Sequence, residues 1–183
     1  MKRYILLTLM ALALHMGSLF AQSAQPREKS EVEVFMQQVA KVVAKSNEID
    51  YSYISTNMFK QILSQLLSIV NDEAKEEMGI DKIFGSAMYM RRFISTGTEG
   101  YKLLEVAMNP FWGFLEEREV VMDMELCAFN RQDGVVSMIY GNSENVLVIN
   151  NNHKDLKYSI VFVAGLSYEA FMKMNDSGID LGF

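Results

Sequence analysis

The chain has 183 residues, 50% of them hydrophobic and 22% charged, with a formal net charge of −6 at pH 7. This is the composition of one globular domain able to bury a core without staples, and the acidic balance argues against nucleic acid and anionic lipid surfaces, which are held by Lys and Arg. Cys127 is the only cysteine, so no internal disulfide can form.

Met1-Lys2-Arg3 followed by the apolar run from Tyr4 to Phe20 has the charged and hydrophobic regions of a secretory signal peptide, and Ala21-Gln22-Ser23 supplies small residues at cleavage spacing. The run is short for a membrane anchor and is interrupted by His15 and Gly17. Residues 1–23 are therefore read as a signal peptide cut near Ala21 to Ala24, which delivers a soluble protein, with no stable membrane anchor, to a periplasm or the exterior. Its removal takes away Lys2 and Arg3 and leaves the mature chain more acidic. No cysteine stands near the cut to receive a lipid. Residues 24–29, polar and containing Pro26, are expected to be a disordered lead-in, and 30–183 a single domain.

From Ser30, the apolar residues Val32, Phe35, Met36, Val39, Val42 and Val43 recur at helical spacing, with Ser30 placed to cap and Glu31 and Glu33 suited to the first turn. Asn47-Glu48 ends this helix. The alternating stretch Ile49 to Ile54 predicts a strand, and Ser55 or Thr56 caps a second helix whose stripe runs from Phe59 to Val70 and ends near Met78-Gly79. Ile80 to Ile94 predicts a strand with a bulge at Gly85. Thr96 and Glu99 have capping-box spacing for a third helix along Tyr101, Leu104, Ala107 and Met108. Pro110 must stop or kink it, and Asn109-Pro110 can open a short new one.

The stretch from Glu119 to Leu166 carries the densest strand signal and predicts a meander. Val120 to Phe129 reads as one alternating strand, with Asp123 and Glu125 on a wet face, opposite Lys154 or Lys157. Asp133-Gly134 turns the chain into Val135–Tyr140, the loop 141–145 turns it again, and the continuously apolar runs Val146–Ile149 and Tyr158–Leu166 suit central strands covered on both faces. Ser167 caps a terminal helix through Met174, with Leu166 stapled to Phe171. The pattern predicts an α+β fold: a single domain with a mainly antiparallel sheet of five or six strands, helices largely on one face and a C-terminal β-meander.

Chemistry is sparse. His153 is the single histidine outside the signal peptide, lies in an Asn-rich turn, and has neither a second histidine for a metal nor a G-x-S-x-G elbow for a triad; it is read as a solvated loop residue. Cys127 is read as a small buried hydrophobe rather than a reactive thiol. Asp123 and Glu125 are the only catalytic candidates, as paired carboxylates able to divide acid and base roles where burial splits them. Asp72, Glu73, Glu76 and Glu77 lack calcium-loop spacing, and Gly97 and Gly100 lack the GK[ST] ending of a phosphate loop, so no metal or cofactor is expected. Phe111, Trp112 and Phe114 form the most distinctive candidate for a partner-binding ridge, although a core plug is the favoured reading of the segment.

The signal ending Phe20-Ala21-Gln22, the strand Tyr51-Ser52-Tyr53-Ile54-Ser55 running into Met58-Phe59, and the strand from Ile160 to Leu166 with its following helix resemble the DUF4252 family of exported Bacteroidetes proteins. The resemblance implies an envelope address and no catalytic residues. A non-enzymatic module that binds another envelope protein is the leading expectation. A small hydrolase or carbohydrate-handling protein using Asp123 and Glu125 is the alternative, and an apolar-ligand carrier a third.

Overall fold

The computed structural model describes residues 28–58, 61, 89–112 and 120–176. The signal peptide, most of the second helix, the Gly85 bulge, the acidic cluster at 72–77 and Phe114 lie outside the described residues, as does the side chain of Trp112.

The first helix, α1 (Glu31–Val43), starts at a reciprocal cap. The Ser30 hydroxyl accepts the Glu33 amide at 3.4 Å, and the Glu33 carboxylate accepts the Ser30 amide at 2.9 Å. Two of the donors that every helix start leaves unpaired are thereby satisfied. Val32, Met36, Val39, Ala40 and Val43 face inward and are buried.

After α1 come β1 (Ile49–Ser55), β2 (Tyr89–Ser95), α2 (Thr98–Ala107) and the short α3 (Asn109–Trp112), which begins where Pro110 forbids continuation. The meander follows as β3 (Val120–Val121), β4 (Met124–Gln132), β5 (Val135–Gly141), β6 (Asn145–Asn152) and β7 (Lys157–Ala164), and α4 (Tyr168–Asp176) closes the described chain. One open antiparallel sheet of seven strands results, in the order β1-β2-β7-β6-β5-β4-β3. The α+β class stands as read.

The strand count rises to seven because the stretch at Val120–Phe129 is not one strand. Met122 and Asp123 both have positive φ, 51° and 61°, so the chain reverses there in a two-residue hairpin turn of the kind that matches sheet twist. Asp123 and Glu125 are therefore not neighbours along one strand face, and Glu125 lies opposite Val120 and Gly141 rather than a lysine. Asp133 and Gly134, both with positive φ, turn β4 into β5 as the sequence implies.

The helices α1, α2 and α3 share one face of the sheet, where they bury Phe93, Met138, Tyr140, Leu147, Ile149, Tyr158, Ile160 and Phe162. Each such side chain contributes about 2 kcal/mol on leaving water. The opposite face is covered by α4, which packs Ala170 and Phe171 on Met90, Val146, Val148, Val161 and Val163. The Ser167 hydroxyl accepts the Ala170 amide at 3.2 Å, and Leu166 and Phe171 are buried together as a staple requires. Strands β6 and β7 are thus covered on both faces, which explains their unbroken apolar runs.

The start of α2 departs from expectation. Its N-cap is Gly97, which has no side chain to cap with, and the Thr96–Glu99 box does not form. Instead the Glu48 carboxylate, arriving from the α1–β1 turn, accepts the amides of Glu99 and Gly100 at 2.9 and 3.2 Å. A Cβ on Gly100 would stand 2.0 Å from the Glu48 carbonyl oxygen, and one on Gly97 2.4 Å from the Glu48 carboxylate. The two glycines make room for a cap supplied from elsewhere in the chain.

Candidate functional site

The β3–β4 turn, the β5–β6 turn and the first turn of α4 converge at one end of the sheet. Between them lies a cleft of about 570 Å³ walled by Asp123 and Glu125 on one side and Tyr168 and Glu169 on the other, with Cys127 and the Asn142–Ser143 loop between. Three carboxylates thus face one concavity, and none of the described residues lining it is basic.

Each wall has a local cause. Asp123 is at the mouth because the hairpin turn projects it there, and Glu125 follows on β4 before the strand bulges. The register passes from Leu126 opposite Tyr140 to Ala128 opposite Ile139, so Cys127 is the inserted residue, turned toward the cleft instead of into the core. It is half-buried, its Sγ lies 3.4 Å from the Glu125 carbonyl oxygen, and burial pushes its thiol up. The reading of Cys127 as a core residue is corrected to a cleft-wall residue. Tyr168 lies against Gly141, where an added Cβ would stand 2.6 Å from its Cβ. Burial, and then the neighbouring Cys127, push its phenol up.

Asn142 joins the walls. Its side-chain Nδ2 donates to the Asp123 carbonyl at 3.1 Å, its Oδ1 accepts the Glu144 and Asn145 amides at 2.9 and 2.7 Å, and its own carbonyl accepts the Tyr168 amide at 3.0 Å.

The aromatic candidate fares differently. Phe111 is fully buried, packed on Phe35 at 5.5 Å and edge-on to Tyr140 at 5.3 Å between ring centroids. Its ring plugs the helix-covered face and offers a partner nothing. The core-plug reading therefore holds at Phe111, which lies in the short helical turn Asn109–Trp112.

His153 is half-exposed but not merely solvated. Its Nδ1 is 2.7 Å from the Tyr101 hydroxyl, which also lies 3.3 Å from the Glu105 carboxylate. Tyr101 thus bonds to both neighbours, and its contact with His153 clasps the β6–β7 turn onto α2. Among the described residues no group of three or more His, Cys, Asp or Glu side chains is arranged to hold a metal ion, and no helix is long and apolar enough to cross a membrane.

Sequence reasoning found Asp123 and Glu125 and missed Asn142, Tyr168 and Glu169. Asn142 comes from the β5–β6 turn and Tyr168 and Glu169 from the first turn of α4, and nothing in a linear pattern brings them to the first two. Ser167, read as a helix cap, was the one available signal, because it fixes Glu169 in the exposed first turn of α4. Comparison with family models, curated proteins and solved structures finds no match.

Proposed function

We propose that this chain is an exported, non-enzymatic binding protein whose acidic cleft receives a cationic side chain of a partner protein. The observation that supports it is the cleft itself: Asp123, Glu125 and Glu169 line one concavity without a lysine, arginine or histidine among its described walls. Like charges brought together around open space are relieved by a cation entering it, and the Tyr168 ring adds a face on which an ammonium or guanidinium group can rest. The export rests on the amino-terminal sequence, and the partner is then another protein of the envelope.

Paired-carboxylate hydrolysis draws on the same two residues, since Asp123 and Glu125 share the cleft. That chemistry needs one carboxyl held protonated by burial, whereas both are exposed. Binding is the better fit. An apolar-ligand carrier would have to set its ligand beside three carboxylates in this cleft, which is a poor match.

The test is calorimetry of the purified protein against basic peptides, with the triple variant Asp123→Asn, Glu125→Gln, Glu169→Gln. Exposed ion pairs contribute about 0.2 to 1 kcal/mol each, so removing three should weaken binding by about 3-fold to about 150-fold, with an affinity that falls as salt is added. Equal binding by the wild type and the triple variant would overturn the proposal.

A further inference from the structure

We infer that Arg91, on β2, anchors a second binding site, one that takes the carboxylate of a small organic acid. The site is independent of the acidic cleft. Arg91 shares the helix-covered face with Tyr89 and Phe93 and is half-buried there, and among the described residues no Asp or Glu stands within ion-pair distance of it. Its Nη1 donates to the Tyr51 hydroxyl, and its guanidinium carbon lies 4.9 Å from the centre of the Tyr53 ring and 5.2 Å from that of Tyr89. Three tyrosines thus fix the orientation of the fork. Two donors in the cluster have no acceptor: the Arg91 Nε, which is buried, and the hydroxyl of Tyr89, a residue only 8% exposed. An unpaired buried donor is unfavourable, more so on a cation that also lacks a counter-ion.

A negatively charged acceptor answers both needs, and a carboxylate is the one that fits. Its two coplanar oxygens match the planar fork of a guanidinium and can accept from a neighbouring hydroxyl as well. The Tyr89 phenol keeps its proton for this purpose, because burial, and then the Glu33 carboxylate, push it up to about 12. Glu33 also limits the charge the site tolerates. Its carboxylate is held at the start of α1 by the Ser30 amide and hydroxyl at 2.9 and 3.2 Å, near enough to Tyr89 to be felt there. It repels a phosphate dianion more than a singly charged carboxylate. The approach runs past Tyr53, whose ring is 48% exposed on the outermost strand β1, and a ligand reaches the two buried donors by turning that ring aside.

The experiment titrates the purified protein with sodium acetate and, separately, with inorganic phosphate at constant ionic strength, following the β1 and β2 amides and the Arg91 Nε–H by NMR. Acetate should shift these signals saturably and bind more tightly than phosphate. Tyr89→Phe keeps the ring and removes the unpaired hydroxyl, and it should weaken acetate by about 10-fold, the equivalent of one hydrogen bond to a charged group. Arg91→Lys keeps the charge and removes the fork, and it should weaken acetate at least as much; where it fails to fold, Tyr89→Phe carries the test. Arg92→Gln is the control, since Arg92 is the next residue along β2 and falls on the other face, opposite Val161. It should leave acetate binding unchanged. The proposal is overturned by the absence of a saturable shift at any acetate concentration that leaves the protein folded, by acetate binding that survives Tyr89→Phe at full strength, or by phosphate binding as tightly as acetate. None of these results bears on basic peptides at the acidic cleft.

Discussion

Helices α1 and α2 lie on the same face of the sheet, and both begin beside a Ser or Thr followed three residues later by Glu. At α1 the pattern works: Ser30 and Glu33 cap one another. At α2 the same spacing, Thr96 and Glu99, is idle, and the cap is Glu48 from the turn preceding β1. The difference teaches that a capping box competes with any carboxylate the fold delivers. The Thr96 amide is engaged elsewhere, donating to the Glu48 carbonyl at 2.8 Å, and that contact brings the whole Glu48 residue against the helix start.

The largest effect should come from forcing the two helices to differ less. Replacing a helical glycine by alanine normally gains about 1 kcal/mol. At Gly100 the new Cβ meets backbone rather than a movable side chain, so Gly100→Ala should instead cost about 3 kcal/mol in urea unfolding, the upper end for overpacking. A gain would show that Glu48 is not held against the helix.

Ser30→Ala breaks the local cap. It should cost about 2 kcal/mol, because it removes the cap and also the acceptor of the Asn145 amide, which donates to Ser30 at 3.2 Å from an almost fully buried side chain. A loss no larger than a few tenths would mean that the Asn145 amide finds another acceptor.

Glu48→Ala should cost about 1 kcal/mol, since α2 loses an exposed cap but keeps its packing. The sharper version is a cycle with Gly97→Ala. The three atoms nearest a Gly97 Cβ all belong to the Glu48 side chain, so its penalty should vanish in the Glu48→Ala background, whereas that of Gly100→Ala should persist.

The last effect, a pH dependence, vanishes at neutral pH and begins at Tyr89 of β2, whose phenol feels Glu33 in the first turn of α1. Burial first, and then the nearby Glu33 carboxylate, push the Tyr89 phenol up to about 12 from 10.0. The folded state holds this proton more tightly than the unfolded chain does, so its contribution is complete below about pH 10 and disappears as pH rises through 12. Tyr89→Phe should remove that part of the alkaline loss. Hydrogen exchange should show the first turn of α1 opening ahead of α2 in the wild type over this range, because the phenolate forms beside the capping carboxylate.

The same contrast describes what was legible in the sequence. The helix at Ser30, the turn at Asp133-Gly134, the two-sided burial of β6 and β7 and the Ser167 cap all depend on residues within a few positions of each other, and periodicity exposes such features. The Met122–Asp123 turn was hidden because Met is an unusual choice at positive φ and no glycine follows Asp123 as one follows Asp133, so the alternation ran straight through it. Gly97 and Gly100 were legible as small residues, but their reason is Glu48, far away in sequence. The cleft was half-legible for the same cause: its carboxylates at 123 and 125 are close along the chain, while Glu169 and Asn142 reach it only through the fold.

The strand order has a kinetic consequence. From β3 to β7 each strand pairs with the one before it, so this half of the sheet needs only short loop closures. The junction of β2 with β7, where Arg91 lies opposite Phe162, joins strands separated by the entire meander. Closing that junction is the slow, entropically costly step of assembly, and β7 is the strand through which it is made. Substitutions in β7 that weaken its inward residues, such as Ile160→Val, are accordingly the ones that should retard folding, whereas equivalent changes in β1, which joins the sheet only through β2, should mainly hasten unfolding.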